Sequence, residues 1–385
     1  MNKTLPLNGV RVIEICNVAA GPFCSMLLGD MGAEIIKLEN PGSGDTLRAW
    51  PPHTGPKNDL LSENFASLNR NKKSVCLDLK NAAENKMAIK LISTADVLIE
   101  NNRPGVMKRL GLDYETLHAL NPTLIYCSIS AFGQKGPRSA EGGFDVTIQA
   151  MSGIMSVTGE ADGAPVKCGV PVSDFAAGLY GAMSICAQLR SVKNGGEGTH
   201  IDVPMMGTSL AIAALQTSEY FGTRLDPVKL GSAHPRNAPY QAFRAKDDYL
   251  VMAAGTQTLW EGVCRILSSE SLLQDERFSS TALRAKNQVA LKNLIEIILQ
   301  NDDAKTWIQK FSEAGIPCCP INNYSSALAD KQTVAMDWVQ PLEMANGQMT
   351  KTLGPPIQFD GIVSPIRMRP PRLGEHNDEI LKDLK

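Results

Sequence analysis

Residues 9–15 (GVRVIEI) alternate and are rich in β-branched side chains, and the small-residue turn 17–22 (NVAAGP) carries them directly into a helical run. In that run Phe23, Met26, Leu27 and Met31 recur at helix spacing, Gly32 stops it, and residues 33–38 (AEIIKL) read as a second strand. This strand–helix–strand unit constrains the fold more than any other feature. Residues 74–79, 97–100 and 124–130 add strands and 82–94 a helix, an alternation that argues for a mostly parallel sheet with helices on both faces. In such α/β sheets ligands sit beyond the carboxyl ends of the strands, so the turns 16–22, 78–80 and 100–105 are candidate ligand walls.

The rest of the chain subdivides. A helix over 169–190, a glycine-rich turn (194–198) and a strand over 199–203 complete a large Rossmann-like domain, 1–204, to which 340–385 return. A long helix is expected at 205–220 within a linker, 205–224. Residues 225–325 change to Pro/Gly-rich loops, short strands and amphipathic helices, which predicts a smaller α+β domain, and 326–339 form a return linker.

Composition excludes several classes of function. With 385 residues, 43% hydrophobic and 20% charged, the chain is an ordinary globular protein; its net charge of −2 and lack of a Lys/Arg block give no footprint for nucleic acid or an anionic membrane. No window reaches the roughly 18 continuous apolar residues of a membrane span, and the first residues lack a signal-peptide pattern, so a cytoplasmic location is expected. The nine cysteines lack a C-x-x-C pair and read as buried thiols in a reducing compartment. No metal motif, P-loop, HExxH or GxSxG occurs, and the turn at 17–22 lacks GxGxxG, which argues against a nicotinamide enzyme.

Asp174 stands near the head of the 169–190 helix. The plain reading is that Ser173 or Asp174 caps that helix. The functional reading uses the same place: backbone amides and the helix dipole would keep the carboxylate ionised and able to attack an electrophile. His118, His200 and His376 have no paired catalytic motif. Arg48, Arg103, His234 and Arg236 lie in loops and could hold a carboxylate or phosphate.

Taken together, LNGVRVIEICNVAAGP (7–22), GDMGAEIIKLENPGSGD (29–45), NRNKKSVCLDLK (69–80), ADVLIENNRPGVMKRLG (95–111), FDVTIQAMSGIM (144–155), VSDFAAGLYGA (172–182), GIPCCP (315–320) and LGEHNDEIL (373–381) resemble the class III CoA-transferases. That CaiB/BaiF-type family includes formyl-CoA:oxalate, acetyl-CoA:oxalate and carnitine CoA-transferases. The resemblance implies a catalytic aspartate at Asp174. It also implies that coenzyme A, as substrate and not as a resident cofactor, lies along Val18, Ala19, Ala20, Leu77, Asp78, Lys80, Asn101, Asn102, Arg103, Arg109 and Met205. These include the turns already picked out as ligand walls. It further implies an interlocked homodimer, with small-molecule acyl-CoA and carboxylic acid as the other partners.

Two departures bear on specificity. The formyl enzyme has an arginine where this chain has Asn40, leaving Lys37 or Arg103 to meet the charged end of the nucleotide. Its glycine-rich cover loop is absent too; LGSAHPRNAPYQAF (230–243) occupies that region, and Gly142, Gly143 and the His234 loop are candidates for the cover. The pattern therefore points away from formyl specificity toward dicarboxylates such as oxalate, succinate or itaconate. An α-methylacyl-CoA racemase would carry a histidine just before an aspartate; here Gly143-Phe144-Asp145 offers phenylalanine, which cannot move a proton. A non-catalytic CoA-binding protein and an acyl-CoA hydrolase are also compatible with the same motifs.

Overall fold

The computed structural model describes residues 5–382. Six parallel strands form the main sheet: β1 (Arg11–Ile15), β2 (Glu34–Glu39), β3 (Lys72–Cys76), β4 (Val97–Glu100), β5 (Ile125–Ser130) and β6 (His200–Pro204). Their order is β3-β2-β1-β4-β5-β6, and every neighbouring pair is parallel. This is the doubly wound nucleotide-binding order, whose direction of winding reverses between β1 and β4. The loops leaving Ile15 and Glu100 therefore diverge at their carboxyl ends and open a crevice.

Helix α1 (Ala20–Asp30) links β1 to β2, α2 (Ala82–Ser93) links β3 to β4, and α3 (Asp145–Met151) and α4 (Val172–Lys193) lie between β5 and β6. One core layer, including Val12, Cys24, Leu28, Ile99, Cys127 and Ala177, is buried beneath α1 and α4; the other, including Ile13, Ile36, Leu98, Leu91 and Ile92, is buried beneath α2. Because both faces of the sheet are covered, β1 and β2 have no solvent side. Their polar residues Glu14 and Lys37 are accordingly buried completely.

The chain divides into two compact units. Unit 1 comprises 1–154, 167–225 and 331–385; unit 2 comprises 155–166 and 226–330. Residues 155–166 thus join the second unit, although sequence order put them in the first domain. Unit 2 contains an antiparallel sheet of β7 (Tyr240–Arg244), β8 (Tyr249–Ala253) and β9 (Cys318–Pro320), with β8 central, and its core gathers Phe243, Trp260, Phe278, Trp307 and Phe311.

The single helix expected over 205–220 is two helices, α5 (Met205–Ile212) and α6 (Ala214–Thr223). Ala213 has φ −85° and ψ 30°, outside the helical basin, so the hydrogen-bond ladder is interrupted there. Alanine has the highest helix propensity, so residue type does not cause this break.

Candidate active site at the head of a helix

The head of α4 is reached from β5 through α3. Proline at position 171 has no N–H, Val172 N–H donates to the Val170 carbonyl (2.8 Å), and Phe175 N–H begins the helical ladder on the Pro171 carbonyl (3.1 Å). Two first-turn amides are left over. Both are taken by Asp145: its Oδ1 accepts from Ser173 N–H at 2.9 Å and from Asp174 N–H at 3.4 Å. Neither Ser173 nor Asp174 caps the helix, contrary to the plain reading of the sequence. The acid that does so stands 29 residues upstream of Asp174.

The Asp174 side chain is left without a hydrogen-bond partner among the described residues. Burial, and then the like charge of Asp145, push its carboxyl up to about 7. The expectation that the helix amides would hold Asp174 ionised is thereby overturned: those amides are spent on its neighbour. A carboxyl in this state keeps a substantial ionised fraction at neutral pH and is more basic, hence more nucleophilic when ionised, than an ordinary aspartate.

The same helix head is pressed against the crevice. Gly178, one turn after Asp174, lets α1 approach closely: a Cβ there would fall 2.8 Å from the Ala20 carbonyl oxygen and 2.9 Å from the Phe23 ring. The Phe23 and Phe175 rings pack at 4.7 Å between centroids. The turn 18–20 is thus held beside the Asp174 end of α4. Val18 sits at φ 66°, a conformation that a β-branched residue rarely adopts, with its N–H donated to Asp45 Oδ1 at 3.2 Å. Across the crevice Asn17 N–H donates to Asn101 Oδ1 (2.9 Å) and Asn101 Nδ2 returns a bond to the Asn17 carbonyl (2.8 Å), lacing the two diverging loops together.

These strand-end turns, with one partly buried carboxyl beside them, have counterparts in known proteins. The family described as CoA-transferase family III matches residues 7–377. The chain belongs to it. The succinate–glutarate CoA-transferase of Agrobacterium fabrum is 37% identical over 389 residues, covering 100% of this chain and 97% of its own length. The acetyl-CoA:oxalate CoA-transferase of Acetobacter aceti is 36% identical over 382 residues, covering 98% and 96%. A crystal structure of a CAIB/BAIF family protein from Brucella suis superposes with a TM-score of 0.88 at 34% identity, covering 100% of both chains.

In this family III CoA-transferase the residues expected to meet CoA are distributed unevenly. Leu77, Asp78 and Lys80 follow β3; Leu77 is buried, Asp78 N–H donates to Glu84 Oε2, and Lys80 is exposed. Asn102 donates its N–H to Glu100 Oε2 at 2.8 Å. Arg103 and Arg109 are exposed, and Arg103 lies flat against Gly142, where any Cβ would fall within 2.7 Å of its guanidinium. Gly143 is similarly tight, its Cβ position being 2.7 Å from the Ala131 side chain. Met205, at the start of α5, is 6% exposed and belongs to the core layer under α4.

The expectations for Arg48 and Lys37 need correction. Arg48 is not offered to a substrate carboxylate: it clasps Glu39 through Nε (2.9 Å) and Nη2 (2.6 Å), donates Nη1 to the Pro371 carbonyl, and stacks on Phe65. Lys37 cannot stand in for an arginine at position 40, because it is fully buried with Nζ on Glu14 (2.6 Å), Asp45 (2.9 Å) and the Cys16 carbonyl. Asn40 itself accepts from Gly42 N–H. His234 belongs to unit 2, where its Nδ1 accepts from the N–H groups of Arg236 and Asn237, each at 3.1 Å. No cluster of metal-binding side chains occurs among the described residues.

Sequence reasoning missed two groups. One is Asp145 with its partner Gln149; an acid opening a short helix was the available signal, but its target could not be read. The other is the buried network of Glu14, Lys37, Lys72 and Asp45 beneath the Val18 turn.

Proposed function

We propose that this CoA-transferase moves CoA between dicarboxylic acids, with Asp174 as its nucleophile. The observation that carries the assignment is the partly buried, unpartnered carboxyl at the head of α4, beside the crevice where β1 and β4 diverge. An Asp174 oxygen attacks the thioester carbon of the donor; the C–S bond breaks and CoA leaves as thiolate, giving a mixed anhydride. The thiolate attacks the aspartyl carbon, the donor acid departs as carboxylate, and an aspartyl-CoA thioester results. An acceptor carboxylate then expels CoA thiolate to form a second anhydride. Thiolate attack on its acceptor carbon releases acyl-CoA and restores Asp174. Anhydride and thioester are both activated acyls, so no step discards the activation, whereas a serine ester would be a sink.

Coenzyme A runs along the carboxyl edge of the sheet past Val18, Ala19 and Ala20, the 77–80 turn and Asn101. Lys80, Arg103 and Arg109, all exposed, supply charge for its phosphates. Gly142 and Gly143 exclude water, which would hydrolyse either intermediate. A dicarboxylate acceptor is supported by the succinate, glutarate and oxalate in the names of the relatives.

The working form is an interlocked homodimer in the cytoplasm, with 205–224 and 326–339 as the linkers between a large domain and the 225–325 domain. Leu179, Met183, Leu210, Leu215 and Phe221 expose apolar surface on α4, α5 and α6 that a second copy would cover. All nine cysteines are free thiols, which suits a reducing compartment. Native mass should give twice the chain mass, and a monomer would refute the dimer.

The chemical test is a matrix of succinyl-, glutaryl-, acetyl- and oxalyl-CoA donors against free acids, read by mass spectrometry. Asp174→Ala and Asp174→Asn should reduce transfer by at least about 10³-fold while still binding CoA. Hydroxylamine added with donor should modify Asp174; turnover near the parent's in either variant rejects the nucleophile.

A further inference from the structure

We propose that Asp145 is the positioning residue of the nucleophile: by occupying the spare amides at the head of α4 it fixes the Asp174 backbone and leaves the Asp174 carboxyl free to attack. The inference rests on Asp174 being the nucleophile, and it adds a second acid to the machinery that acts through the first.

The hydrogen bonding of the helix head is complete without the Asp174 side chain. Asp145 Oδ1 takes the amides of Ser173 and Asp174, and its Oδ2 accepts from Gln149 Nε2 at 2.6 Å. Gln149 is fully buried, and its Oε1 accepts from Cys168 N–H at 2.8 Å. One Asp–Gln pair therefore clamps both the segment entering α4 and its first turn. Ser209 Oγ donates to Ser173 Oγ at 2.9 Å, both side chains being fully buried, which ties the same turn to α5. A carboxylate at the third helical position would ordinarily fold back onto these amides. With Asp145 already there, a cap by Asp174 would have to displace a better-placed acceptor. The arrangement also brings a like charge to Asp174, which adds to the effect of burial and makes its anion more basic.

Hydrogen-bond polarity makes the idea testable. Asp145→Asn retains one acceptor for the helix amides but turns an NH₂ group toward Gln149 Nε2, so two donors face each other. Gln149 cannot flip without losing the Cys168 amide. Adding Gln149→Glu restores both bonds with donor and acceptor exchanged and total charge kept.

Asp145→Ala and Asp145→Asn should each lower kcat about 10–100-fold with KM for acyl-CoA within about threefold, as expected for a misplaced reacting group. The double variant Asp145→Asn/Gln149→Glu should recover kcat to within about fivefold of the parent. A folded Asp145→Ala enzyme with parental kcat overturns the proposal, as does a double variant that misfolds or is no faster than Asp145→Asn. If both single variants misfold, the double variant decides. Asp174→Ala run in parallel separates the two readings: retained turnover there removes the nucleophile itself, whereas a dead Asp174→Ala beside an unaffected Asp145→Ala removes only the positioning role.

Discussion

Among the carboxyl groups that unit 1 withdraws wholly or partly from water, Glu14 and Asp174 are treated in opposite ways. Glu14, in the middle of β1, has Lys37 Nζ at 2.6 Å, Lys72 Nζ at 2.9 Å and Ser25 Oγ at 2.6 Å. Burial alone would raise its pKa, yet these partners hold it down at about 2. Asp174 meets burial without a partner and with another acid nearby, and it rises to about 7. Burial is common to both, so the partners decide the sign. The first group is a fixed charge inside the scaffold; the second is poised between charge states where chemistry is done.

The largest effect expected from breaking this contrast is on the scaffold side. Lys37→Met leaves Glu14 with one cation and strands Asp45, which also holds the N–H groups of Val18 and Leu47. Loss of one partner of a buried ion pair costs about 3–5 kcal/mol. Urea unfolding should show that loss, with the lower midpoint accompanied by a higher KM for acyl-CoA as the Val18 turn relaxes. Lys37→Met combined with Glu14→Gln should recover part of the stability; a single variant as stable as the parent would mean that the network contributes nothing net.

Why this network was hidden in the sequence while the sheet was not is a matter of range. The β1–α1–β2 unit was legible because its signals are local: alternation, the 17–22 turn, helical spacing, then Gly32. Asp174 stood out through position and family resemblance together. By contrast, Lys37 in β2 reads from the sequence as free to meet a nucleotide, and only the placement of Glu14 and Asp45 beside it shows that its charge is already taken inside the covered sheet. Asp145 capping α4 and residues 155–166 joining unit 2 are likewise relations between segments far apart in sequence. Arg48 illustrates the converse error: a loop arginine near a ligand wall looks free until its partner Glu39, nine residues away, is placed.

A smaller effect, with opposite signs for activity and stability, is expected at Asp174. Its folded pKa is raised from 3.8 to about 7, so between those values the native state holds a proton that the unfolded chain releases. Its contribution to stability is complete below pH 4 and is lost as pH rises toward 7. Asp174→Asn should therefore stabilise the protein by about 2–3 kcal/mol at pH 8, solvent screening of the partly exposed carboxyl reducing the about 4 kcal/mol that the full shift implies, and by almost nothing at pH 4. Glu14 behaves in the opposite sense: its stabilisation is full above pH 4.5 and disappears as pH falls toward 2. Meanwhile kcat/KM of the parent should climb through a pKa near 7 as Asp174 ionises. A stability difference that does not change with pH would place the raised pKa elsewhere.

The smallest effect tests whether the poised state depends on how closely α1 approaches α4. Gly178→Ala places a methyl 2.8 Å from the Ala20 carbonyl, nearer than carbon and oxygen tolerate, and the neighbour is backbone, which cannot swing aside. Two contributions oppose each other. Replacing glycine by alanine inside a helix stabilises by about 1 kcal/mol. Overpacking a close helix pair costs about 1–3 kcal/mol, so a net destabilisation of about 1 kcal/mol is expected. The movement should push the 18–20 turn away from the head of α4 and separate the thioester from Asp174, lowering kcat about tenfold and leaving the pH limb near 7 in place. A variant that is more stable than the parent and equally active would mean that the two helices can part freely, and that the turn and the nucleophile are positioned independently.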